Sequence, residues 1–153
     1  MSKPKSRRTA GPAERPQTRA TVSLTTARRM LPLVARIVAE IQARWQRLTQ
    51  LETEQQDLDR RRRALAWPQR ERRYQVADEI AAEQRLLQDA VAELEQLEVL
   101  LVDPVLGEAA YPTTMNGRRA YFIWRAGTED VNWWCYAQDP TRHPLPANWR
   151  RDK

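Results

Sequence analysis

The chain has 153 residues, 41% hydrophobic and 30% charged, which suits one folded domain with a modest core. Its single cysteine excludes an intrachain disulfide, and no run nears the ~20 apolar residues of a bilayer crossing, so a cytoplasmic protein without a membrane span is expected. The net charge of +6 is unevenly spread: +5 over residues 1–20, +6 over 60–73, −7 over 21–59 and 74–103 together, and +2 over 104–153.

Residues 1–20 hold no Ile, Leu, Val or aromatic side chain and cannot repay their ordering entropy. They read as a disordered basic tail, either solubilising or a loose tether to a polyanion. Residues 21–153 read as a single domain in three parts: a helical hairpin over 24–102, a β-meander over 105–137, and a Pro-rich C-terminal extension over 138–153.

Ser23 is placed to cap a helix N-terminus. Pro32 lies too deep for a first turn, so the pattern predicts a short helix near 24–31, a kink, and a longer helix opened by Pro32. Apolar residues then recur at helical spacing through Leu33, Val34, Ile37, Val38, Ile41, Trp45, Leu48, Leu51 and Leu58. A second run comprises Ala77, Ile80, Leu87, Val91, Leu94, Leu97 and Leu101. Pro68 stands between them as a breaker. Two matched runs with a short connection imply a coiled-coil-like antiparallel hairpin. Folding it about Trp67–Pro68 pairs Val34 with Leu101, Ile41 with Leu94 and Leu48 with Leu87. Gln55 then meets Ile80 and Arg62 meets Arg73, so this seam is apolar at the base and polar at the tip.

Asp103-Pro104 should stop the second helix. Beyond it, Gly107, Gly117 and Gly127 recur every ten residues, and Asn116-Gly117 is a strong hairpin signal. Three antiparallel strands are expected, near 108–115, 118–125 and 131–137, with Pro112 marking the first as an edge strand. In the middle strand Ala120, Phe122 and Trp124 alternate with Arg119, Tyr121, Ile123 and Arg125. Leu145 and Trp149 are expected to pin an extended tail to the body. The fold class is α+β, with the sheet covered by the base of the hairpin.

Three stretches, MLPLVARIV, LVDPVLGEAAYP and GRRAYFIWRAGTEDVNWW, carry a resemblance in order and spacing over residues 22–137. They are similar to the bacterial family called domain of unknown function 2203, and the NGRRA and PLPANW pieces resemble its planctomycete-type members. The resemblance implies a fold and assigns no activity. Two positions depart from the family's pattern: Thr26-Ala27-Arg28, where an acidic-Ala-Asn step is common, and Trp134-Cys135, where Trp-His is common. Any chemistry of that His would be lost here.

No stretch spells out a reaction. There is no phosphate-binding Gly-rich loop and no nucleophile elbow, so no cofactor is expected. His143 is the only histidine, which argues against a metal site, and Cys135 within a strand reads as an apolar filler. Asp103, Glu108, Glu129 and Asp130 show no pairing that identifies an acid and a base. An enzyme would require a deep pocket joining Glu108, Arg125 and Glu129.

The most unusual charged feature is the hairpin tip: Arg60, Arg61, Arg62, Arg63, Arg70, Arg72 and Arg73, with Trp67 and Tyr74 among them. Arg60–Arg63 suit a helix C-terminus, whereas Arg70, Arg72 and Arg73 oppose the dipole at the start of the next helix. A solvated tip is one reading, and contact with an anionic partner is the other. The Arg119, Tyr121 and Arg125 face of the sheet is a second candidate contact. The reading favoured is a non-enzymatic protein-interaction module with a protein partner or a second copy, a homodimer. The alternative is RNA or DNA binding through the basic tail and tip.

Overall fold

A computed structural model describes residues 21–146, 148 and 149; the expected disordered tail over 1–20 lies outside these. Helix α1 spans Leu24–Arg60 and helix α2 spans Trp67–Gln96. Five strands follow: β1 Leu100–Asp103, β2 Glu108–Met115, β3 Arg118–Arg125, β4 Trp133–Tyr136 and β5 Asp139–Pro144. They form one antiparallel sheet in the order β1-β2-β3-β4-β5.

Helix α1 starts where expected, with the Ser23 side chain accepting a hydrogen bond from the Thr26 N–H at 3.1 Å. It then runs without a break past Pro32, so the predicted separate short helix and a second helix opened by Pro32 are one element. A proline inside a helix costs about 3 kcal/mol. Against that, the buried stripe of Ala27, Leu31, Val34, Ile37, Val38 and Ile41 continues across it on one face. Burial of several such side chains at ~1.5–3 kcal/mol each outweighs the loss.

The hairpin folds earlier than Trp67–Pro68. The reversal lies at 61–66, with a short 3₁₀ turn at Arg62–Ala64, and Pro68 sits in the first turn of α2, where its missing N–H costs nothing. Arg44 therefore faces Glu83 and Arg47 faces Glu79, where the expected register would have placed Val91 and Gln88. The displacement is about two helical turns. It also dries the distal seam that the sequence suggested was polar. Leu48, Leu51, Leu58, Leu65, Val76 and Ile80 form a second buried cluster reaching almost to the tip.

Helix α2 stops at Gln96, short of the expected 102. Glu98 adopts φ +60°, and the Val99 and Glu98 N–H groups return to the Leu94 and Glu95 carbonyls at 3.3 and 2.8 Å. That left-handed exit satisfies the last helical carbonyls. It frees Leu100–Asp103 to become β1, so Leu101 belongs to the sheet and not to the hairpin seam.

The three expected strands correspond to β2, β3 and β4, with β4 shortened to Trp133–Tyr136. The sheet gains β1 from the supposed helix and β5 from the supposed extended tail. Strand β2 is therefore interior, not an edge. Pro112 is tolerated there because β1 pairs only as far as Ala110, and beyond it the Pro112 carbonyl accepts the Val22 N–H at 2.8 Å. The missing donor faces that unladdered side. Asn116 and Gly117, at φ +53° and +74°, make the predicted tight turn.

The helix-facing side of the sheet carries Ala109, Tyr111, Phe122 and Trp124. They pack on Val34, Val38, Ile41 and Leu94 in the main core, which Leu145 joins and Trp149 packs against. At the β1–β2 turn, Gln42 donates to the Val105 carbonyl at 3.1 Å. A Cβ on Gly107 would come within 2.7 Å of both Ala126 and Gln42, so glycine is needed for that approach. Among the described residues no helix is long and apolar enough to cross a membrane.

Glutamate at φ +60° is strained where glycine is not. Glu98→Gly is expected to raise unfolding stability by about 0.5–1 kcal/mol in urea titration at unchanged m-value. A lower midpoint would contradict the assigned exit from α2.

Candidate interaction surface at the hairpin tip

Seven arginines fall within 60–73, and the fold divides them. Arg72 is clasped from two sides: Nε lies 2.7 Å from Glu54 Oε1, and Nη1 lies 3.1 Å from Glu79 Oε1. Those hydrogen bonds push its guanidinium pKa further up and hold the Glu54 carboxyl below its usual range. Arg73 reaches Asp59 at 2.8 Å, Arg61 reaches Asp57 at 2.5 Å, and Arg70 donates to the Leu65 carbonyl at 3.0 Å. The repulsion expected for Arg72 and Arg73 at the start of α2 is thus offset by carboxylates, chiefly on α1.

Arg60, Arg62 and Arg63 have no such partner among the described residues. They are exposed around a shallow recess of about 200 Å³ running from Asp59 to Ala64. Beside them Trp67 and Tyr74 are each 72% exposed. Seven residues apart on α2, they share one face with a rise of about 10 Å between them. The tip therefore presents two aromatic rings and three uncommitted cations, while the other four tip arginines serve the hairpin itself.

The second candidate surface divides similarly. Arg119 is exposed and Tyr121 half-buried. Arg125 is held in a cluster that the sequence did not reveal. Glu108, 1% exposed, accepts Arg125 Nη2 at 2.6 Å and Arg142 Nη1 at 3.1 Å, and Arg142 Nη2 closes on its other oxygen. Both guanidinium groups lie over Trp133, at 5.0 and 5.4 Å from the ring centre. Only the pairing of β5 with β4 brings Arg142 to a residue 34 positions away. Hydrogen bonds from Arg142, then Arg125, hold the Glu108 carboxyl below its usual range despite burial.

That arrangement joins Glu108 to Arg125 as a saturated ion pair; Glu129 stays exposed. Burial pushes the Cys135 thiol up, away from the thiolate a nucleophile needs. His143 stacks on Trp134 with ring centres 4.5 Å apart. Among the described residues, no group of three His, Cys, Asp or Glu side chains is placed to hold a metal.

A family model described as an uncharacterized conserved protein (DUF2203) matches residues 21–144. No curated protein and no solved structure matches the chain.

Glu108 binds its proton more weakly folded than unfolded, so its contribution to stability is full above pH ~4.3 and fades as pH falls through the lower folded value. Glu108→Gln should cost about 2 kcal/mol at pH 7, below the usual 3–5 for a broken buried pair because both guanidinium groups reach solvent. The difference from wild type should shrink below pH ~4 in acid titrations of chemical unfolding. A difference that is constant with pH would show that the carboxylate charge is not what stabilises the sheet.

Proposed function

The chain belongs to the DUF2203 family of uncharacterized conserved proteins, and from that premise we propose that it is a non-enzymatic interaction module that associates through its helical hairpin. The observation that carries the proposal is the charge polarity of the hairpin. Arg60, Arg62 and Arg63 are uncommitted at the tip; toward the base of α2, exposed Asp89 and Glu93 also have no ion pair among the described residues. Asp89 and Glu93 repel each other four residues apart on α2, and Arg60, Arg62 and Arg63 repel each other by their crowding at the turn, so both ends of the hairpin gain from an opposite charge. A second copy lying antiparallel supplies one to each end by a single two-fold operation.

Magnitudes assign the roles. Exposed ion pairs contribute about 0.2–1 kcal/mol each, too little to hold two copies alone. Trp67 and Tyr74 bring roughly 150–250 Å² of ring surface apiece, so their burial supplies affinity while the charges set orientation.

Sedimentation equilibrium at ~50 mM salt is expected to show a dimer whose dissociation constant rises as salt is added. Replacing Arg60, Arg62 and Arg63 together by Ser should raise that dissociation constant by about tenfold or more and flatten its salt dependence, at unchanged helicity. A wild-type chain that stays monomeric at high concentration would refute the proposal.

The exposed Trp67 and Tyr74 pair also favours a second reading, stacking on single-stranded RNA or DNA. On that reading Trp67→Ala weakens binding by ~1–3 kcal/mol, and the free arginines Arg60, Arg62 and Arg63 matter more than Arg72 or Arg73, which are already paired. An absence of binding to either nucleic acid at ~50 mM salt would eliminate it.

A further inference from the structure

At the opposite end of the molecule, the N-terminus of α1 meets β2 and the C-terminal segment around an open cleft of about 290 Å³. Its lining includes Thr113, which is 7% exposed and whose hydroxyl makes no hydrogen bond among the described residues. Its donor and acceptor capacity is therefore free for a molecule entering the cleft. Unlike the Tyr111 hydroxyl, which is sealed in the core, the Thr113 hydroxyl is not cut off from solvent, and its residue lines the cleft.

Three further features converge there. Ser23 satisfies the Thr26 and Ala27 N–H groups, while those of Leu24 and Thr25 have no partner among the described residues. The first turn of α1 contains no acidic residue, so its positive dipole end is uncompensated. Phe122 and Trp149 supply aromatic walls. Arg28 also lines the cleft, held by Asp130 through two contacts of 3.0 Å and by the Trp149 carbonyl at 2.7 Å. That pairing offsets the charge of Asp130 and ties the Trp149 backbone to α1.

From these features we infer that the cleft binds a small single-ring organic oxyanion, its charged group on the α1 N-terminus and the Thr113 hydroxyl, its ring against Phe122 and Trp149. A backbone N–H donates to an oxyanion without changing protonation state, and the threonine hydroxyl donates likewise. The volume lies near the lower limit for ligand pockets, which suits a single ring. The site is independent of the hairpin tip, so its failure leaves the association proposal untouched.

Calorimetric titration of the full chain with phenyl phosphate and with benzoate tests the inference, using inorganic phosphate and acetate as ring-free controls. At least one ring-bearing probe should bind, and about tenfold more tightly than its control. Thr113→Val keeps the β-branched shape and should weaken that probe by about tenfold, the scale of one hydrogen bond to a charged group, with no loss of thermal stability. Adding Thr113→Val to the Arg60, Arg62 and Arg63 to Ser variant should give the same loss as in the wild-type background. No binding of either ring-bearing probe at ~10 mM would overturn the inference. So would unchanged affinity in Thr113→Val, or binding abolished by the tip substitutions alone.

Discussion

The stripe on α1 from Ala27 to Ile41 has to satisfy two neighbours at once. Val34, Val38 and Ile41 are each fully buried, packed in one cluster with Leu94 of α2 and with Tyr111, Phe122 and Trp124 of the sheet. A small antiparallel sheet needs one covered face to be stable, and a two-helix hairpin needs a third layer to bury a wide apolar stripe. Each supplies what the other lacks, and only over the basal part of the hairpin. Continuity across Pro32 follows from the same constraint, because a break there would split the one surface that both neighbours share.

Beyond Gln42, which still reaches the β1–β2 turn, the two helices pack mainly on each other. The seam narrows to Leu48, Leu51, Leu58, Leu65, Val76 and Ile80, and flanking ion pairs take over part of the alignment. Arg72 between Glu54 and Glu79, and Arg73 on Asp59, bind α2 to α1 in a register that apolar periodicity alone leaves open. An arginine cluster that reads as a uniform basic patch is thus two populations. One locks the hairpin; the other, at Arg60, Arg62 and Arg63, remains available, next to Trp67 and Tyr74.

Much of this was legible in the chain. The Ser23 cap, the α1 stripe, the Asn116-Gly117 turn and the bounds of β2 and β3 follow from capping, period and turn chemistry. What escaped has physical causes. Glu98 occupies a left-handed position where glycine would have announced the end of α2, and Leu94, Leu97 and Leu101 kept the helical period running past it. Pro68 looked like a breaker, yet proline serves equally as a helix opener, and that ambiguity displaced the register by about two turns. Strand β5 contains Pro140 and Pro144, tolerable only on an edge, so its sequence reads as irregular. Without β5 the Glu108 and Arg142 pair is invisible. The cleft at Thr113 needed both termini of the described chain to meet, which no local pattern encodes.

The claim on which the functional account turns is that the tip of one hairpin meets the base of another. It is tested most directly by a charge-reversed pair of variants: Arg60, Arg62 and Arg63 changed to Glu in one, and Asp89 and Glu93 changed to Lys in the other. Each alone sets like charge against like and should sediment as a monomer, whereas an equimolar mixture regains opposite charges at both contacts and should sediment as a heterodimer. Dimers formed by either variant alone, or a mixture that stays monomeric, would contradict the account.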